Sequence, residues 1–232
     1  MRFILFSFVF VCLLVSASSC KHPAQRSLAA QMSIESLKAQ NIEETLSGED
    51  EVLLTYSMTI YNKNDKMFSV VNGTWGITEM KNGGSYARES FMPIEAVVPP
   101  GGRVVMAVAL TEIDDYDKAK QTVNKLKTVS NSIHFPDAVE LLLPEVGTAI
   151  KVIKTSFSIA GIAVEVVSFL DNDDLLGQDL HQVSQEAIQK GNRSFKVPLV
   201  FKGSNWGDKY EYTLDYSLKL QELYAKKKKK KN

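Results

Sequence analysis

Catalytic and metal centres are most often built from residues this chain has few of: its 232 residues include two cysteines, three histidines and two tryptophans. One histidine, His22, lies close to the start, which leaves His134 and His181 as the imidazoles available for zinc or for a catalytic triad. His134 sits between Ile133 and Phe135 and reads as a packed residue. The signatures that bring backbone and nucleophile together are absent too: there is no P-loop, dinucleotide fingerprint, G-x-S-x-G elbow or H-E-x-x-H pair. These absences argue against nucleotide-dependent chemistry, serine hydrolysis and zinc proteolysis, and the expectation is a chain that is not an enzyme. A carboxylate-based hydrolase stays open as a remote alternative, because the distance between two such carboxylates is set by the fold.

Cysteine scarcity has a further consequence. Arg2 supplies a positive charge ahead of the apolar stretch Phe3 to Val15, which has the length of a signal-peptide core and falls short of the roughly 20 residues needed to span a bilayer. Ala17-Ser18-Ser19-Cys20 follows, small residues leading into a cysteine, and resembles the lipobox of bacterial lipoproteins. The resemblance implies a signal peptide over 1–19 and lipidation of Cys20 as the first mature residue. It also implies a location in the bacterial cell envelope, with the outer membrane expected. Ala17 stands where that family usually has Leu, so ordinary cleavage after Ser19 is the alternative. Cys12 lies in the segment to be removed, so the mature chain would keep one cysteine that cannot close an internal disulfide; lipidation accounts for it.

The chain also lacks net charge, with 27 basic and 27 acidic residues, but that balance is uneven. Lys226 to Lys231 hold six of the basic residues, and without them the rest is acidic. The tail, 226–232, reads as a disordered, solvated run, or as a contact for anionic lipid or polymer that salt abolishes. Nucleic acid is not an expected partner, since the tail has no interleaved aromatics and no second basic patch stands out.

What is present is β-pattern. Residues 20–31 read as a polar tether, and the domain is expected over 32–225. Met32 to Leu37 alternates, Val52 to Tyr61 is rich in β-formers, and further strands are expected over Met67–Val71, Gly73–Glu79, Ser90–Val98 and Arg103–Leu110. Pro99-Pro100-Gly101-Gly102 is a sharp break. Near Asp117 the period lengthens. Val123, Leu126, Val129 and Ile133 lie at helical spacing, and an apolar region with Pro144 at a helix start extends to Leu170. A helical insertion is therefore expected over about 116–170. It either packs on its own domain or leaves it to insert in a membrane, the structural role of the second functional reading. Strands return at Ser194–Phe201 and Tyr210–Leu220, joined by a hairpin loop that carries Trp206. The expected fold is mainly β, an antiparallel C2-like or Ig-like sandwich with a helical insertion.

Two acidic clusters flank that insertion: Asp114, Asp115 and Asp117 after the Arg103 strand, and Asp171, Asp173 and Asp174 ahead of Leu175-Leu176-Gly177. Together with the acidic loop ending at Glu49-Asp50-Glu51, this arrangement resembles a C2 domain, whose third calcium loop has aspartates after a strand and then a further Asp and a Leu-Gly pair. The resemblance implies calcium at the sandwich rim. The insertion inside that loop departs from the family and puts its mode of lipid binding in doubt. Apart from any family, calcium takes 6 to 8 oxygen ligands of the kind such loops present, and if the insertion is compact its ends bring the clusters together. Helix capping and loop solvation are the competing reading, with Asp117 as a cap. Trp206, in a Gly-flanked loop, is the candidate for stacking on a carbohydrate, with hairpin packing as its alternative. The function expected is that of a membrane-anchored, non-catalytic binding protein whose partner is a carbohydrate or an envelope protein, with Ca2+ as the one candidate cofactor.

Overall fold

Apolar residues recur at every second position from Leu28 to Ile34, then shift phase to Leu37 and Ala39. In the computed structural model, which describes residues 26–42, 48–113, 133–139, 149–159, 175–205 and 208–223, the first strand, β1 (Leu28–Asn41), matches that phase shift with a bulge. Its pairing with the last strand, β10 (Asp208–Glu222), slips between Ile34 and Ser36. The slip keeps Ile34 and Leu37 both in the core, as an extra bulged residue must when side chains alternate. The extra residue, Glu35, accepts a hydrogen bond from Ser217 Oγ at 2.5 Å.

The remaining strands are β2 (Glu49–Tyr61), β3 (Met67–Lys81), β4 (Ser85–Ala87), β5 (Ile94–Val98), β6 (Arg103–Glu112), β7 (Ile133–Val139), β8 (Leu175–Val183) and β9 (Ser194–Asn205). Two α-helices are described, α1 (Ala149–Ile159) and the five-residue α2 (Gln185–Gln189). One sheet runs β9–β10–β1, with β4 and β5 both paired to the far edge of β1; the other runs β7–β3–β2–β6–β8. Every pairing is antiparallel. Ile34, Leu37, Leu214 and Leu218 from the first sheet share one buried cluster with Leu54, Met58, Met106 and Val108 from the second. The expected mainly β, antiparallel sandwich is what the chain forms.

Both faces of the second sheet are covered, which is why β2 and β6 show little alternation. The even positions of β2, Leu54 to Ile60, face the core between the sheets. Its odd positions, Leu53 to Tyr61, are buried as well, under a layer that includes α1. That helix contacts β6, β2, β3 and β8, and its Ala149, Val152 and Ile153 are buried.

Several boundaries differ from the sequence expectation. β1 begins at Leu28, inside the expected tether, because Leu28 and Ala30 already face the core. Residues 67–81 form one strand rather than two, since the sheet pairs Gly73 and Asn72 without a break. Of the expected helical insertion, 133–139 is a strand paired to β3 and 149–159 is a helix; the helix expected over 116–132 lies outside the described residues. Leu175-Leu176-Gly177 opens β8 instead of closing a loop. The physical reason is visible at Gly177, where a Cβ would lie 2.1 Å from the ring of Phe201, so the glycine lets β9 pack against β8.

The register gives the sandwich two distinguishable ends. Leu28 pairs with Glu222, and Leu223 N–H donates to Ser27 O at 3.3 Å, so the first and last described residues leave side by side at what is here termed the proximal pole. The 62–66 turn, the 99–102 turn and α2 lie at the same pole. The opposite, distal pole carries the ends of β1, β3 and β6, the starts of β2 and β8, and the β9–β10 hairpin.

Candidate functional site

Every residue singled out from the sequence as a site lies outside the described residues: Cys20, Asp114, Asp115, Asp117, Asp171, Asp173, Asp174 and Trp206. The structure does give the described residues on either side of them. Ile113 N–H donates to Glu51 O at 2.8 Å, and Leu175 pairs with Thr111 across the β6–β8 ladder. The described residues on either side of the insertion thus lie on neighbouring strands, β6 and β8. Asn205 and Asp208, which flank the Trp206 hairpin, pair with each other at the same pole. Arg26, the first described residue after Cys20, is at the other.

The distal pole is acidic in its described residues also. Glu51 stands opposite Glu79 in the β2–β3 register, beside Glu49 opposite Lys81. Lys81 Nζ lies 2.8 Å from a Glu49 carboxylate oxygen. That hydrogen bond holds the Glu49 carboxyl below its ordinary range and raises the Lys81 amine. Asp50, between them in sequence, points the other way. It is fully buried and accepts a hydrogen bond from Tyr212 Oη of β10, across the sandwich. Among the described residues no group of three or more His, Cys, Asp or Glu side chains is arranged to hold a metal ion.

Asp179 was not singled out by sequence reasoning. It lies on β8 and accepts a 2.6 Å hydrogen bond from Tyr216 Oη. The legible signal was on β10, where Tyr212 and Tyr216 occupy inward positions: a buried phenol needs an acceptor. Burial, aided by the Asp179 carboxyl, pushes the Tyr216 hydroxyl well above the ordinary tyrosine range. Trp75, the other tryptophan, is half-buried, its ring 4.5 Å from Tyr86 and 5.1 Å from Phe91. Its role is packing at the β3 bulge.

At the proximal pole a cavity of about 640 Å³ opens between the chain ends, the 99–102 turn and α2. Leu28, Val98 and Ile188 line it beside Arg26, Arg193 and Glu222. Arg193 Nη1 donates to Ile188 O at 2.9 Å and Asn192 O at 3.2 Å, while Arg26 lies 3.4 Å from Glu222.

No family model matches the chain, and no curated protein matches it. Among solved structures the chain is similar to human GIVD cytosolic phospholipase A2, with 7% identity and a TM-score of 0.37 over 88% of this chain. It spans 18% of that enzyme's length. It is also similar to a C2 domain of plant Extended Synaptotagmin 1, with 8% identity and a TM-score of 0.36 over 87% of this chain and 98% of that domain. At TM-scores of this size neither likeness identifies a family.

Proposed function

We infer that the chain is a non-catalytic binding protein of the bacterial cell envelope, held to a membrane through Cys20 and offering its distal pole to a ligand. The observation that supports this reading is the β1–β10 register. It sets the strand end that follows Cys20 opposite the strand ends that flank the acidic clusters and the Trp206 hairpin. An anchor at one end and a loop-rich, acidic rim at the other is the layout of a domain that presents a binding surface away from a membrane. Calcium is the first ligand to test, because mutual repulsion among the carboxylates of such a rim favours a bound cation. A carbohydrate stacked on Trp206 is the second.

The described helix of the apolar insertion packs on the domain. Val152 and Ile153 of α1 are buried against the second sheet. The deciding experiment is calorimetric titration of calcium into residues 21–232, with thermal unfolding followed in calcium and in chelator. Saturable binding that raises the melting temperature, and that is lost in Asp114→Asn/Asp173→Asn, supports the rim as one site. The absence of any heat or shift removes calcium and leaves the aspartates as caps and loop solvation.

A further inference from the structure

The first sheet has a recess on its outer face, away from the core. Along β9 and β10 the inward positions are Phe195, Val197, Tyr216 and Leu218, so Lys196, Pro198, Asp215, Ser217 and Lys219 lie on the other face. Ser217 stands opposite Lys196 and between Asp215 and Lys219. It is a short side chain among long ones, and a cavity of about 450 Å³ opens beside it. The β1 bulge supplies a further wall. An extra residue in a strand re-aims a side chain, and here it brings Glu35 to the same cavity, where its carboxylate accepts the Ser217 hydrogen bond.

Opposite charges line this cavity without pairing across it. Glu35 is matched by Ser217 and by Arg88, which lies 3.8 Å from its second carboxylate oxygen. Asp215 accepts a hydrogen bond from Ser36 Oγ at 3.0 Å. Among the described residues, however, neither Asp215 nor Lys196 nor Lys219 forms an ion pair. The register spaces these three charges. Lys196 is diagonal to both Asp215 and Lys219, about 7 to 8 Å away between Cα atoms, and Asp215 and Lys219 lie about 13 Å apart along β10. We propose that this cavity binds a short peptide by its two charged ends, the carboxylate between Lys196 and Lys219 and the ammonium at Asp215, with Pro198 as the apolar wall for its backbone. A ligand with both charges is required because a simple anion would be repelled by Asp215 and would leave it unmatched. Length follows from the spacing: two or three residues reach about 7 to 10 Å, whereas a free amino acid spans only about 3.5 Å. The site is independent of Cys20 and of the distal rim, and so goes beyond the membrane-held reading.

The test is titration of triglycine into isotope-labelled residues 21–232, which keep every described strand and helix, followed through the backbone amide NMR signals. Millimolar binding is expected, with shifts confined to residues 35–36, 194–198 and 215–219. Acetylating the amino end or amidating the carboxyl end should each weaken binding by about tenfold or more, as should salt at 1 M, where the Debye length is about 3 Å. Lys196→Gln/Lys219→Gln should cost a similar factor and erase the difference between triglycine and its amide. Asp215→Asn should erase the difference between triglycine and its acetylated form. All three side chains lie outside the core, so thermal unfolding of these variants should not change. Shifts elsewhere in the domain, no shifts at millimolar triglycine, equal binding of the peptide blocked at both ends, the same shifts with acetate alone, or undiminished binding in the lysine variant would each overturn the site. The calcium titration reports on the distal pole, so the two readings fail separately.

Discussion

Two tyrosines of one strand reach across the sandwich to two aspartates of the other sheet, and their surroundings set different costs for losing the bond. Asp50 is fully buried, so Tyr212→Phe takes a donor from a carboxyl that water cannot reach, and a loss of about 1 to 3 kcal/mol is expected. Asp179 is half-buried, so water takes over part of the role of Tyr216, and Tyr216→Phe should cost about 1 kcal/mol. Urea unfolding of the two variants side by side checks the order; a larger loss for Tyr216→Phe would contradict it. Tyrosine burial also predicts how stability varies with pH. Burial pushes the Tyr56 hydroxyl up to about 12 and raises Tyr61 and Tyr216 too, the Arg103 guanidinium partly opposing the shift at Tyr61. A raised tyrosine stays neutral in the fold while the unfolded chain ionises from about pH 10. The stabilisation is therefore complete below pH 10 and is lost as pH rises from there toward 12, at about 1.4 kcal/mol per pH unit for each such tyrosine. The urea midpoint should be level up to about pH 9.5 and fall above it, and Tyr56→Phe should make that fall shallower.

Individual elements show how far local pattern reaches. The alternation along β10, the β-former run of β2 and the Pro99–Gly102 break were all legible, because side-chain period and backbone chemistry are local properties. β8 was not: Asp171 to Gly177 has the composition of a loop, and what makes 175–183 a strand is the free edge of β6 and the ring of Phe201 seated over Gly177, both distant in sequence. Gly177→Ala should accordingly cost about 1 to 3 kcal/mol through overpacking, whereas an alanine indifferent to the Phe201 ring would leave the urea midpoint unchanged. The outer face of the second sheet was illegible for the same reason, since α1 covers positions that read as polar. Ser57, Thr59 and Thr111 are buried there, and their hydroxyls have no partner among the described residues. Removing an unsatisfied hydroxyl with little change of shape stabilises, so Thr59→Val and Thr111→Val should each raise stability by about 1 kcal/mol. Loss of stability in both would mean that these hydroxyls find acceptors in solution. The candidate calcium and carbohydrate residues were legible as composition alone; their flanking strands now share one pole, which no spacing in the sequence could announce.

For the molecule as a whole, the direction of the strands turns the proposed anchor into an orientation. β1 runs from the proximal to the distal pole, and at about 3.3 Å per residue its 14 residues separate the two by roughly 45 Å. An anchor at Cys20, as proposed, would put the 62–66 turn on the bilayer side and the hairpin at Asn82-Gly83 on the far side. Full-length protein lipidated at Cys20, as proposed, would report this directly. In anionic vesicles carrying a headgroup-bound quencher, a fluorophore attached at Lys63→Cys should be quenched and one attached at Asn82→Cys should not. Equal quenching at both positions would mean that the domain lies on its side or tumbles on its tether, and the distal pole would then have no privileged access to a ligand beyond the membrane.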